Sequence, residues 1–284
     1  MYTEAVLALG DQAAAKLAGQ RRSLPSHLVR SMLAGMYVGA AIVLIFTIGG
    51  SLSRDSPGAV RMTMGICFGG ALTMVIFAGS ELFTGSNLVL TLGVLSKKAT
   101  ARDLLSNWVW TWIGNLIGSI LLAVMVVRAG LLDAEPIKGF VLGLVEKKMS
   151  LPAEQLLWRA ILANWLVCLG VWMAVRIKSE TARILMIWWC MFTFITSGYE
   201  HSIANMCGLF LGLLLPHGEA ITWGGYAYNL GLATAGNIVG GALFVAGLYW
   251  IGSPQARSMF TLKNNVAAEK NGVPLEPVLQ DAAR

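Results

Sequence analysis

The residues best suited to chemistry lie in SGYEHSIANM, residues 197–206, where Glu200 and His201 stand side by side inside a long apolar run. An ionisable residue at membrane depth is a functional candidate by default, and histidine is the side chain whose charge changes near neutral pH. Ser197, Gly198, Ser202 and Asn205 around them are poor helix formers, so the run is expected to break where the ionisable pair falls. A second stretch, GSELFTGSN at 79–87, has the same outline, with Gly-x-Glu and a later asparagine. Leu82 follows Glu81 there, so His201 has no counterpart. His201 therefore reads as the proton-handling group. The matched Glu81 and Glu200, with Asn205, read as structural groups that tie down free N–H groups at the two breaks, since a carboxylate lining a lumen would repel an anion.

Nothing else in the sequence points to a metal or redox centre. Cys67, Cys168, Cys190 and Cys207 all fall inside apolar runs without metal-ligand spacing and read as small buried hydrophobes. The histidines are His27, His201 and His217, too few and too scattered for a zinc or haem site, so no metal and no cofactor are expected.

The elements that must position His201 are membrane spans. The chain has 284 residues, 56% hydrophobic and 13% charged, with a mean hydropathy of +0.66. An average soluble domain carries about 25% charged residues, so roughly half the usual charge is missing, and what remains clusters between apolar runs. Six spans are predicted, at about 28–50, 61–95, 106–130, 157–176, 182–215 and 223–252. Residues 1–27 read as an N-terminal interfacial helix rather than a signal peptide, because Asp11 and Lys16 interrupt any compact apolar core. Residues 253–284 read as a polar, disordered cytoplasmic tail.

With six crossings both termini share a side. Fourteen basic residues fall on that side and seven on the other, which places both termini in the cytoplasm. The net charge of +6 is thereby a matter of topology, and no nucleic-acid partner is implied.

The two halves echo each other. RSMLAG at 30–35 parallels RAILAN at 159–164, the two Gly-x-Glu stretches match, and GNLIGS at 114–119 parallels GNIVGG at 236–241. Three spans per half means that the second half enters the bilayer from the opposite face, an inverted 3+3 repeat whose site lies near the midplane where the broken helices meet. A broken helix frees backbone N–H and C=O groups, tolerated at membrane depth only in protein or beside a wet cavity. Its half-helix N-terminus attracts anions. The glycines of the third and sixth spans suit close helix packing, and Asn115 and Asn237 among them need partners that a nearby break can offer. The tryptophans near span ends fit an interfacial belt.

FAGSELFTGSN at 77–87, ILANWLVCLGVWMA at 161–174 and SGYEHSIANM at 197–206 resemble the formate/nitrite transporter family, over about residues 5–252. MLAGMYVGAAIVLIFTIG and MIWWCMFTFITSGYEHSIANM are most similar to its nitrite channel branch. The resemblance implies an all-α homopentamer of aquaporin-like protomers in the bacterial inner membrane, each with its own pore. It further implies that His201 is the central pore histidine, with Thr84 on the first break and Asn237 on the sixth span beside it. Phe68, Leu72 and Phe194 would form hydrophobic constrictions, with Leu82 and Val167 on the other side of the histidine. Lys148 would be the basic residue of the periplasmic vestibule, with neighbouring Lys147 competing for that role.

The expected substrate is a small monovalent weak-acid anion, nitrite first, moving with a proton; formate or hydrosulfide is the alternative. An aquaporin-like neutral-solute channel shares the repeat but would carry paired Asn-Pro-Ala breaks, which are absent. A membrane enzyme or redox subunit would need haem-ligand histidines or a catalytic cluster at the break, and neither is present.

Overall fold

The computed structural model describes residues 2–256 and 258–259, so most of the expected 253–284 tail lies outside the described residues. Among the described residues every regular element is a helix. α1 (Thr3–Arg22) is followed by α2 (Leu24–Leu52), which starts at Ser23, whose side chain accepts from Ser26 N, with proline in its first turn. The second span is divided into α3 (Val60–Phe68), α4 (Gly70–Phe77) and, after a break at 78–82, α5 (Phe83–Leu95). α6 (Ala101–Arg128) opens with a reciprocal cap between Thr100 and Asp103.

The second half repeats the order: α7 (Ile137–Met149), α8 (Ala153–Arg176), α9 (Glu180–Thr196), a break at 197–201, α10 (Ser202–Leu214) and α11 (Trp223–Ile238). A π-helical segment, Val239–Gly247, and the single turn α12 (Leu248–Ile251) finish the sixth span.

Among the described residues, five helical stretches are long and apolar enough to cross a membrane: Leu24–Leu52, Val60–Phe77, Ala101–Arg128, Ala153–Arg176 and Trp223–Ile251. The remaining crossing is the divided one. α9 has 17 residues, about 26 Å at 1.5 Å per residue, and α10 continues the span beyond the break.

The repeat is visible in its closest contacts. α2 packs along α6, and α8 along α11. A Cβ on Gly118 would fall 2.0 Å from Met32 O, and one on Gly240 would fall 2.2 Å from Ile161 O. These are equivalent positions in the two halves, and only glycine permits such backbone approach.

Two features depart from the sequence expectations. One face of α1 is covered by protein: Val6, Leu9, Ala13 and Leu17 form a stripe buried with Leu88, Val89 and Leu92 of α5. An apolar helix face reads the same in sequence whether lipid or protein covers it. α7 was not expected, being 13 residues long and too short to span. Val141, Val145 and Met149 recur every fourth residue and bury one face against α2, α10 and α11. α1 and α7 each precede a half, so the repeat extends beyond three spans.

Candidate functional site

The two breaks are built alike. Each turns at a glycine with positive φ, Gly79 (+75°) and Gly198 (+72°), a conformation that costs other residues steric strain. The following glutamates donate their backbone N–H to the preceding long helix, Glu81 N to Arg30 O and Glu200 N to Arg159 O, both at 3.2 Å. An asparagine then closes each break. Asn115 Oδ1 accepts from Phe83 N (2.9 Å), while its Nδ2 donates to Ser31 O (2.7 Å) and Glu81 O (2.9 Å). Asn237 Oδ1 accepts from Ser202 N (2.8 Å), while its Nδ2 donates to Ala160 O (2.7 Å) and Glu200 O (3.1 Å). The amide has one acceptor and two donors, which matches what a break leaves unpaired.

The glutamate side chains do something else. They were expected to hold the breaks' N–H groups; that work falls to the asparagines, and each carboxylate instead meets a lysine from the short helix. Lys16 of α1 pairs with Glu81. Lys148 Nζ of α7 donates to Glu200 Oε1 (2.8 Å) and to Asn205 Oδ1 (3.2 Å). Asn205 Nδ2 donates to Glu200 Oε2 and Asn229 Oδ1, both at 2.7 Å, and Asn229 Nδ2 returns to Lys148 O at 2.9 Å. This closed ring clamps α7 to the break and to α11. The Glu200 side chain is only 3% exposed, against 20% for Lys148. Removing one partner of a buried pair costs about 3–5 kcal/mol because the other charge is stranded. Lys148→Ala is therefore expected to reduce the amount of folded protein in the membrane, and adding Glu200→Gln to it should restore much of the loss. Quantifying folded protein by size-exclusion fluorescence tests this; a double variant no better than the single one would mean that the pair is not the reason.

His201 is the N-cap of α10, its Nδ1 accepting from Ala204 N at 3.1 Å. Because Nδ1 acts as acceptor, the neutral ring carries its proton on Nε2. Nε2 lies 3.0 Å from Thr84 Oγ1, so the histidine of one break meets the helix that starts at the other. Asn237 sits at the same break but spends its amide on backbone and Ser202 rather than on the ring. Behind Thr84, Asn164 Nδ2 donates to Thr84 O (3.3 Å), Asn87 Oδ1 (2.9 Å) and Asn237 O (2.6 Å). Gly241, in the π-helical segment, leaves room for this residue: a Cβ there would lie 2.7 Å from Asn164 Nδ2.

Cavities lie on either side of the His201–Thr84 contact. One, of about 340 Å³, runs from α7 down to His201 and is lined by Arg61, Lys147, Lys148 and Arg159 against the single carboxylate of Glu200. The other, of about 580 Å³, lies under α1 and contains Lys16, Arg183 and Glu81. Between them is a chamber of about 10 Å³ bounded by Val38, Phe68, Ala71, Leu72, Leu82, Val167, Met191, Phe194 and His201. A water needs ~10–15 Å³ of such space, so no hydrated ion fits. Phe194 faces both the α7-side cavity and the chamber, stacked obliquely on Phe68 at 5.6 Å. Leu72 faces the α1-side cavity together with Leu82. Leu72 therefore lines the chamber with Phe68 and Phe194 and also borders the α1-side cavity with Leu82.

The sequence profile of the formate/nitrite transporter family matches residues 3–251. The chain belongs to that family. It is 41% identical over 239 residues to the nitrite transporter NirC of Salmonella typhimurium (strain LT2), covering 84% of this chain and 87% of that one. Its fold is similar to that of a structure described as an FNT family ion channel (TM-score 0.84, 39% identity, 88% of this chain and 99% of the other). It is also similar to a pentameric formate channel with formate bound (TM-score 0.72, 25% identity, 81% and 98%).

This formate/nitrite transporter family member is thus an integral membrane protein that transports rather than an enzyme. Several of its central residues escaped the sequence reading. Lys16, Asn164, Arg61 and Arg159 went unassigned, although Lys16 precedes its glutamate much as Lys148 precedes Glu200. His27, expected before the first span, sits in the first turn of α2, fully buried with Nε2 3.0 Å from Thr111 Oγ1.

Proposed function

We propose that this protein is a homopentameric channel for small monovalent weak-acid anions, nitrite foremost, in the bacterial inner membrane. Both termini are cytoplasmic, so the cavity under α1 opens to the cytoplasm and the cavity under α7 to the periplasm. The similarity to a nitrite transporter over most of both chains supports the substrate, and the similarity to a pentameric formate channel supports the assembly. The observation that carries the mechanism is the chamber, in which His201 is the one polar lining residue among the described residues.

A bare anion entering an apolar constriction loses solvation worth up to tens of kcal/mol. Protonating the conjugate base of an acid of pKa ~3–4 at pH 7 costs about 4–5 kcal/mol, at 1.36 kcal/mol per unit. Neutralisation is the smaller cost by a wide margin. The cationic walls of both vestibules concentrate the anion, and the dipoles of α5 and α10 favour it at the chamber. His201 supplies the proton or hydrogen bond there. Charging the ring requires Nδ1 to release Ala204 N–H, a lost cap of about 0.5–2 kcal/mol, and places an imidazolium among apolar side chains, a burial cost that the arriving anion offsets. Phe68 and Phe194 close one side of the chamber and Leu72, Leu82 and Val167 the other, so a charged species meets an apolar barrier in both directions.

The test is uptake of nitrite, formate and hydrosulfide by purified protein in proteoliposomes, measured side by side at one pH gradient. Nitrite is expected to enter fastest, with chloride excluded because a strong-acid anion cannot use the proton. Fastest entry of formate would transfer the assignment to that substrate, and entry of none would remove the transport reading altogether.

A further inference from the structure

The cavity under α7 is far larger than a triatomic anion needs. At about 340 Å³ it would hold on the order of ten waters at ~30 Å³ each, and it falls within the ~300–1,000 Å³ range that encloses drug-sized organic ligands. Its walls are mostly apolar and notably aromatic, with Phe46, Phe140, Phe194 and Tyr199 among them. Its charge is cationic and partly uncommitted. Lys148 is neutralised by Glu200, but Arg61, Lys147 and Arg159 have no carboxylate partner among the described residues. Arg159 is the best placed of these. Its backbone carbonyl holds Glu200 N at the break, it is half-buried, and its guanidinium has only a long 3.5 Å contact with Gln155 Oε1.

An aromatic floor with a free guanidinium beside it suits a ligand with a flat apolar body and one carboxylate. We propose that the α7-side vestibule binds aromatic monocarboxylates, the carboxylate on Arg159 and the ring against Phe194 and Tyr199, and that this occupancy plugs the pore. Arginine takes a carboxylate through two parallel hydrogen bonds, and the low-dielectric surroundings strengthen the pairing. The ring would extend the existing run from Phe68 (5.6 Å from Phe194) to His201 (5.8 Å from Phe194), covering the chamber mouth. The chamber itself, at about 10 Å³, admits no such body, so the ligand blocks rather than permeates. Binding does not depend on the transport reading; the blocking consequence rests on it.

The probe is radiolabelled benzoate in equilibrium dialysis against the purified full-length protein in nanodiscs. Saturable binding of one benzoate per chain is expected, weakened at least tenfold in Arg159→Gln and unchanged in Lys178→Gln, a surface charge on the α8–α9 connection. Arg61→Gln, exposed and without an ion-pair partner, is a second variant that perturbs folding least and is expected to weaken binding to a smaller extent. In liposomes, benzoate added on the α7 side should block nitrite uptake, and added on the α1 side should not. Absence of saturable binding, wild-type affinity in both arginine variants, or displacement by benzyl alcohol as effective as by unlabelled benzoate would each overturn the proposal. Failure of nitrite uptake with benzoate binding intact would sink the transport reading and leave this site standing.

Discussion

His201→Asn is expected to abolish the pH dependence of nitrite uptake while the protein still folds and assembles. Asparagine is among the best N-caps, so it retains the acceptor that Ala204 N–H uses in α10. Its side chain keeps one acceptor and one donor group but is too short to hold Ala204 N and Thr84 Oγ1 at once, and it cannot titrate. The wild-type ring does both at once, with Nδ1 on Ala204 N and Nε2 3.0 Å from Thr84 Oγ1. With the titratable group removed, the chamber retains polarity without selecting for a basic anion. Uptake of nitrite should become flat with external pH and fall by one or more orders of magnitude at acidic external pH. Chloride conductance, expected to be absent from the wild type, should appear. Both quantities are measurable in the same proteoliposomes by stopped-flow fluorescence and planar-bilayer current. A variant with the wild-type pH profile would reduce His201 to a cap and a hydrogen-bond partner, and the proton would have to be handled elsewhere.

How much of this site was legible beforehand depended on whether a residue carried its signal locally. His201, Glu81 and Glu200 were visible because each is expensive where it stands, flanked by a glycine that turns and polar residues that cap. The breaks were visible for the same reason, and both appear within a residue or two of where composition put them. Asn115 and Asn237 are legible as buried amides whose partners lie at the breaks, Phe83 N and Glu81 O for one and Ser202 N and Glu200 O for the other. Their further acceptors, Ser31 O on α2 and Ala160 O on α8, are more than 70 residues away and leave no local signal. The glutamates' true partners were hidden in the same way: Lys16 and Lys148 reach them from helices whose docking no local pattern specifies.

α7 was missed because its length excludes a span and its apolar face is only three residues deep. The π-helical stretch in the sixth span also left no trace in composition. Within it Gly241 lies against Asn164 of α8, a tertiary contact that appears in sequence only as two adjacent glycines.

The largest stability effects are expected at the two asparagines that close the breaks. Asn115→Leu would strand Phe83 N–H and deprive Ser31 O and Glu81 O of their donor. Asn237→Leu would do the same to Ser202 N–H, Ala160 O and Glu200 O. Both positions are fully buried, and no water reaches them to substitute. At about 1–3 kcal/mol for each group left unsatisfied, each variant loses several kcal/mol, a large share of a typical ~5–15 kcal/mol of stability. Aspartate preserves the volume and the acceptor but turns two donors into acceptors facing carbonyls, so Asn115→Asp and Asn237→Asp should fail as badly as the leucine variants. That equality separates hydrogen bonding from packing, because a packing role would tolerate the isosteric aspartate. The matched geometry of the halves further predicts that damage at 115 and at 237 is of similar size. Yield and melting temperature of the assembled protein are the readouts, with ion selectivity measured on whatever folds. If Asn237→Leu assembles like the wild type and alters which anion crosses, Asn237 acts on the transported ion, and the equivalence of the two breaks ends at their hydrogen bonds.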